Sequence, residues 1–244
     1  MENENIYQKI QEALSQLPAN FSILEEEIDI DEQRDYFNVS QYLKQNPPAE
    51  NILEEAELLY NAETSLDSKK QILSKLALLE DVKAYRIIEK YVHQPERELH
   101  KWAVLALQES RMLIEASLVD EPVAFISTGL GGRGRMLRYF IVTIAKEPIP
   151  FSDIQKKIVV DEFSYSFKQH GAELEETHCY ESFVTFSALI SVDQPLQQIF
   201  EQALRECNEY NNFLREELII TNVKKLAPDE IIEIIERQEE DEDY

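Results

Sequence analysis

Up to about residue 120 the apolar positions recur every three or four residues, and beyond it they run in blocks or alternate; this predicts a helical half followed by an α+β half. Ile6, Ile10, Ala13, Leu14 and Leu17 predict an amphipathic first helix that ends before Pro18. Tyr36, Phe37, Val39, Tyr42 and Leu43 predict a short buried helix that stops before Pro47 and Pro48. The acidic run from Glu25 to Asp35 reads as a solvated loop. Ile52, Leu53, Ala56, Leu59 and Tyr60 mark one face of the next helix. Asp67 or Ser68 then offers an N-cap for a helix carrying Ile72, Leu73, Leu76 and Ala77. Another holds Ala84, Ile87, Ile88, Tyr91 and Val92, and Pro95 opens a longer one with Leu99, Trp102, Ala103, Ala106 and Leu107.

From Pro122 to Lys146, β-branched and aromatic runs flank Gly129, Gly131, Gly132 and Gly134, which predicts a β-hairpin joining Pro122–Thr128 to a strand that starts at Met136. A helix capped by Ser152 or Asp153 follows, then strands over 172–180 and 183–191, a helix opened by Pro195, a strand over 217–226 and a last helix over 229–236. Counted from Met136, the order is strand, helix, strand, strand, helix, strand, which is that of a ferredoxin-like sandwich with Pro122–Thr128 as an extra strand. Both helices would lie on one sheet face, and the other would be free for a partner, for the helical array, or for a homodimer through the apolar strand Phe183–Ile190. The expected domains are therefore 1–120, helical, and 121–236, α+β, with an acidic, frayed tail over 237–244.

The helical half repeats itself. With Ile72 set on Trp102, Leu73 falls on Ala103, Leu76 on Ala106 and Glu80 on Ser110, an offset of 30 residues. The stretches Leu-Ala-Leu-Leu-Glu-Asp-Val-Lys-Ala-Tyr and His-Gln-Pro-Glu-Arg-Glu-Leu-His-Lys-Trp-Ala-Val-Leu-Ala-Leu resemble a short bacterial HEAT-type array over about 51–118. Such arrays present a curved surface to another macromolecule, so the resemblance implies a binding or scaffolding role without chemistry of its own. About two repeats fall short of the three usually needed, so neighbouring elements would have to cap them.

The charge balance narrows the partners. Lys and Arg number 24 against 48 Asp and Glu, a net charge of −24, and residues 1–63 alone hold 3 bases against 15 acids. A polyanion is repelled at long range, which disfavours general nucleic-acid binding and favours a basic protein. Met-Glu-Asn-Glu-Asn has the wrong charge for a secretory leader, no apolar run reaches bilayer length, and Cys179 and Cys207 are too few for a disulfide framework, so a cytoplasmic protein with reduced thiols is expected.

Candidate chemistry is sparse. Gly129, Gly131 and Gly134 fit G-x-G-x-x-G, but a strand follows them where a nucleotide site needs a helix. Lys146 sits where a protein kinase has its phosphate-pairing lysine, yet the His-Arg-Asp and Asp-Phe-Gly signatures are missing. His178 and Cys179 are strand neighbours that point to opposite faces, so they cannot share a metal in regular geometry. No catalytic, cofactor-binding or metal-ligating residue is assigned, and a non-enzyme is expected. Arg133, Arg135 and Arg138 are the candidates for holding an anion, an RNA phosphate or an acidic partner, or else for pairing with the chain's own acids. Trp102, with His100 and Lys101 beside it, is the candidate protein contact on the helical surface, although its place on the apolar stripe also suits a core position.

Overall fold

Among the described residues of the computed structural model, which are 18, 20–47, 52–119 and 123–242, five α-helices occupy the first half. They are α1 (Ile30–Gln45), α2 (Ile52–Glu55, continued by a 3-10 helix over Ala56–Tyr60), α3 (Leu66–Ala77), α4 (Val82–Val92) and α5 (His100–Val119). Side-chain oxygens hold the entries: Asp29 accepts from the Asp31 amide, Ser65 from Ser68 and Asp81 from Lys83. Ser65 thus caps the helix for which Asp67 or Ser68 was expected. The expected first helix over Ile6–Leu17 lies outside the described residues.

The paired positions Ile72/Trp102, Leu73/Ala103 and Leu76/Ala106 are all buried, so α3 and α5 turn the same face to one cluster that also takes in Tyr36, Ile88, Tyr91 and Leu99. The acidic run is not all loop. Asp31 and Glu32 form the first turn of α1, where carboxylates favour the helix dipole. Tyr42, expected on the buried side, is 63 % exposed, because α1 begins at Ile30 and sets the buried phase at Gln33, Tyr36, Ser40 and Leu43.

The extra strand belongs elsewhere. β1 (Asn20–Ile23) pairs in parallel with β2 (Val123–Ile126), so Pro122–Thr128 supplies a strand to the helical unit and none to the second sheet. The chain divides between Ser127 and Thr128, with units over Gln16–Ser127 and Thr128–Tyr244.

In the second unit the hairpin is shorter than expected and turns at Gly134: β3 (Gly132–Arg133) runs antiparallel to the start of β4 (Met136–Ile144). Then come α6 (Asp153–Gln169), β5 (Glu173–Cys179), β6 (Phe183–Ser191), α7 (Leu196–Asn211), β7 (Ile219–Thr221) and α8 (Pro228–Glu242). The sheet runs β3-β4-β6-β5, β7 also pairs with β4, and every pairing is antiparallel. A capping box starts α6, with Ser152 accepting from the Gln155 amide and Gln155 from the Ser152 amide.

Register assigns the two faces. Ile141 faces Phe186 across β4–β6, and the ring of Phe186 stacks on Phe163 of α6 and meets Phe167, which in turn meets Phe200 of α7. On the other face Phe140, Val142, Ile144 and Phe183 cluster with Leu130 and with Ile231 of α8. The face expected to be open is therefore covered by the last helix, and the apolar strand Phe183–Ile190 is buried along its whole length. That helix also runs to Glu242, so most of the expected tail is helical. No helix among the described residues is long and apolar enough to cross a membrane.

Candidate functional site

Arg133, Arg135 and Arg138 each reach a carboxylate. Arg133 pairs with Glu173 and Arg135 with Asp193 at 3.5 Å. Arg138 makes a fork: its Nε donates to Glu175 Oε2 at 2.6 Å, its Nη2 to Glu175 Oε1 at 2.9 Å, and its Nη1 to the Leu130 carbonyl at 2.7 Å. Next to this, Lys225 Nζ donates to Glu176 Oε2 at 2.7 Å. Strand β5 supplies three of these acids. A β-bulge between Leu174 and Glu176 interrupts its alternation there and frees Glu175 to reach Arg138. A phosphate arriving at Arg138 would have to displace a bidentate carboxylate.

The Arg138 hydrogen bonds hold the Glu175 carboxyl below its ordinary range, against the opposing effect of its partial burial; the charges of Arg138, Lys225 and Arg133 add to the lowering. A carboxylate whose folded pKa is depressed contributes stability above its unfolded pKa and loses it as pH falls through the folded value. Arg138→Gln should thus cost about 1 kcal/mol at neutral pH, with both side chains more than two-thirds covered. In urea unfolding, its gap from the wild type should narrow as pH falls from neutral through the lowered Glu175 pKa, below the ordinary carboxylate range.

The helical unit buries a second ionic constellation. Glu109 of α5 is 1 % exposed and accepts from Tyr36 Oη at 2.6 Å and Ser40 Oγ at 2.7 Å, with Lys44 Nζ at 2.8 Å. Tyr36, Ser40 and Lys44 stand four residues apart, so one stripe of α1 brings three donors to one carboxylate. Burial, with the Glu109 charge and hydrogen bond behind it, raises the Tyr36 pKa well above the ordinary phenol value and keeps it a donor. Nearby, Gln33 donates to the Ile28 carbonyl at 2.7 Å and accepts from Ser127. These groups fasten α1 to its surroundings, and their polar atoms answer one another.

Trp102 is core: it is 3 % exposed, meets the Tyr36 ring edge-on at 5.2 Å, carries Lys70 Nζ 4.5 Å from its ring centroid, and donates from Nε1 to Ser74 Oγ at 3.0 Å. A partner cannot reach it without opening the helices. His100 and Lys101 remain at the surface, His100 Nε2 at 2.8 Å from Glu26 and Lys101 Nζ at 3.9 Å from Glu32. The helical surface at this point is thus set by the acids of the α1 entry.

Neither cysteine is bonded; Cys179 is exposed on β5 and Cys207 buried on α7. Burial, followed by the charges of Glu162 and Glu206, pushes the Cys207 thiol up to about 12. A thiolate-selective reagent should label one thiol rapidly in the folded protein and two in denaturant, as counted by intact mass. Rapid double labelling would contradict the packing around α7. Among the described residues no group of three or more His, Cys, Asp or Glu is placed to hold a metal ion. A groove of about 550 Å³ on α7 is lined by Glu201, Arg205, Asn208, Glu209 and Asn212, whose spacing is that of one solvated helix face.

That the three arginines would meet acids follows from composition, since acids outnumber bases twofold, but which acids they meet does not. Glu109 was missed. Its signal is a charged residue on the stripe of Leu105, Ala106 and Trp102, where an apolar side chain is otherwise expected. No protein-family model matches the chain, and no curated protein matches it.

Proposed function

We propose that this is a non-catalytic, cytoplasmic adaptor that holds a basic protein on the acidic surface of its helical unit. The observation that carries the reading is the α1 entry, where Glu25, Glu27, Asp29, Asp31 and Asp35 are all exposed within eleven residues that contain a single base, Arg34. A dense field of one sign steers a complementary partner and rejects polyanions. The common buried phase of α3 and α5 at a 30-residue offset supports a short HEAT-like array, a scaffold that works through its surface. The order β7-β4-β6-β5, with α6 and α7 as crossovers, supports a ferredoxin-like sandwich for the second unit. Two unbonded thiols suit a reducing compartment.

The test is affinity capture from native lysate by the full chain and by a variant with Glu25, Glu27, Asp31 and Asp35 changed to Gln and Asn. A partner retained by the wild type, lost by the variant and released as salt rises above the range of about 10 Å screening is the expected result. An identical set of captured proteins for both chains would sink the proposal.

A further inference from the structure

Helix α8 sits on the sheet by little more than one turn. Ile231 is 1 % exposed and Ile235 packs beside it, whereas Ile232 is 43 % exposed. Past Ile235 the helix has no apolar residue: Glu236 to Glu242 hold five acids and one base, with no base in the last turn. Acids at that end oppose the helix dipole, and the one described ion pair there, Arg237 with Glu233 at 3.9 Å, is exposed. The inner end is fastened by Glu230, which pairs with Lys224 and accepts from the Ala227 amide at 2.9 Å.

The surface beneath is of another kind. Phe140, Val142 and Ile144 of β4 and Phe183 of β6 form an apolar patch with Leu130 of the loop before β3, and Lys224, on the segment after β7, pairs with Glu230 of α8. On the same face of β6, Ser187 is paired with Phe140 and its hydroxyl is buried without a hydrogen-bond partner among the described residues. A broad patch is thus covered by a helix that offers two anchors one turn apart and leaves a polar group unanswered. This is the geometry of an amphipathic helix in a groove, with the helix supplied by the chain itself.

We propose that α8 is a displaceable internal ligand, and that the patch it covers docks an amphipathic helix of a partner protein. That partner helix carries aliphatic side chains at i and i+4 and a carboxylate in its first turn, which meets Lys224 as Glu230 does. The proposal concerns the second unit alone and stands apart from the acidic surface of the helical one.

The probe is a fluorescein-labelled peptide of residues 227–242, titrated into the full-length wild type and into an I231S/I235S variant whose own helix is weakened. The tethered helix competes at high effective concentration, so the variant should bind the peptide at least about tenfold more tightly than the wild type. A peptide carrying the same two serines should bind neither protein. A variant that keeps its thermal melt yet fails to distinguish the two peptides overturns the proposal. Hydrogen exchange on the wild type provides a second reading that does not depend on the variant folding. The amides of α8 should exchange at least about a hundredfold faster than those of β4 and β6 through local opening, and equal protection overturns the proposal. A dimeric mass in light scattering, abolished by I231S/I235S, would instead identify the occupant as α8 of a second copy and overturn the partner reading.

Discussion

Glu109→Ala should destabilise the helical unit by about 2–5 kcal/mol, the cost of leaving two buried hydroxyls without their charged acceptor. The substitution removes the acceptor of two hydroxyls and the counter-charge of Lys44 together. Lys44 is half exposed and can turn to water, so its share of the loss is small. Tyr36 cannot; its side chain is fully buried beneath Trp102 and Phe37, and its hydroxyl would be left without an acceptor. Two further variants divide the effect. Tyr36→Phe should cost about 1–2 kcal/mol, since it leaves Glu109 with Ser40 and Lys44. Lys44→Met should cost less than Glu109→Ala. Urea unfolding followed by Trp102 fluorescence measures all three, and a Glu109→Ala variant within about 1 kcal/mol of the wild type would show that the carboxylate is dispensable.

Gly129→Ala should be far more damaging than Gly134→Ala in the glycine-rich loop, with a loss of more than about 3 kcal/mol from the second unit. A Cβ at this position would stand 1.6 Å from the Val223 carbonyl oxygen and 2.6 Å from its carbonyl carbon. Both atoms are backbone and have no rotamer to adopt. The loop would have to lift away from the segment after β7, and with it would go the 3.0 Å bond from the Leu130 amide to the Asn222 carbonyl and the seat of Leu130 in the apolar patch. Gly134 makes the contrast. Its Cβ would meet nothing within 4 Å, but its φ is +59°, so Gly134→Ala should cost only about 1 kcal/mol of backbone strain. Equal effects of the two alanines would mean that the close approach at Gly129 is not real.

Much of this architecture is legible in residue spacing, because helix phase and strand alternation are local properties. The buried positions of α3, α4 and α5 follow from the three- and four-residue rhythm, and β6 is bounded as its apolar block suggests. Pairing is not local. Val123–Ile126 reads correctly as a strand, but nothing near it names Asn20–Ile23 as its partner about a hundred residues earlier, and the four residues of β1 are too few to show alternation. Covering the sheet's second face is likewise a tertiary choice: Ile231 and Ile235 show that a helix has an apolar side without showing where that side lands. Among the candidate residues, Arg133 lies on β3, Arg135 in the turn and Arg138 on β4, and their acids could be counted though not assigned. Trp102 and Glu109 illustrate one ambiguity from opposite sides, since a stripe records burial and leaves open whether a polar group on it is answered.

The β1–β2 ribbon has a consequence for synthesis. Because its strands lie at the two ends of the helical unit, α1 to α5 leave the ribosome ahead of the strand that closes them. Ser127, the last residue of the unit, then reaches back to Gln33 at the start of α1. A chain truncated after residue 119 would hold every described helix of the unit yet remain unbuckled, with β1 edges exposed to any neighbouring strand. Emergence of Ile126 is the step that fastens the first unit, and it precedes emergence of the first central strand of the second.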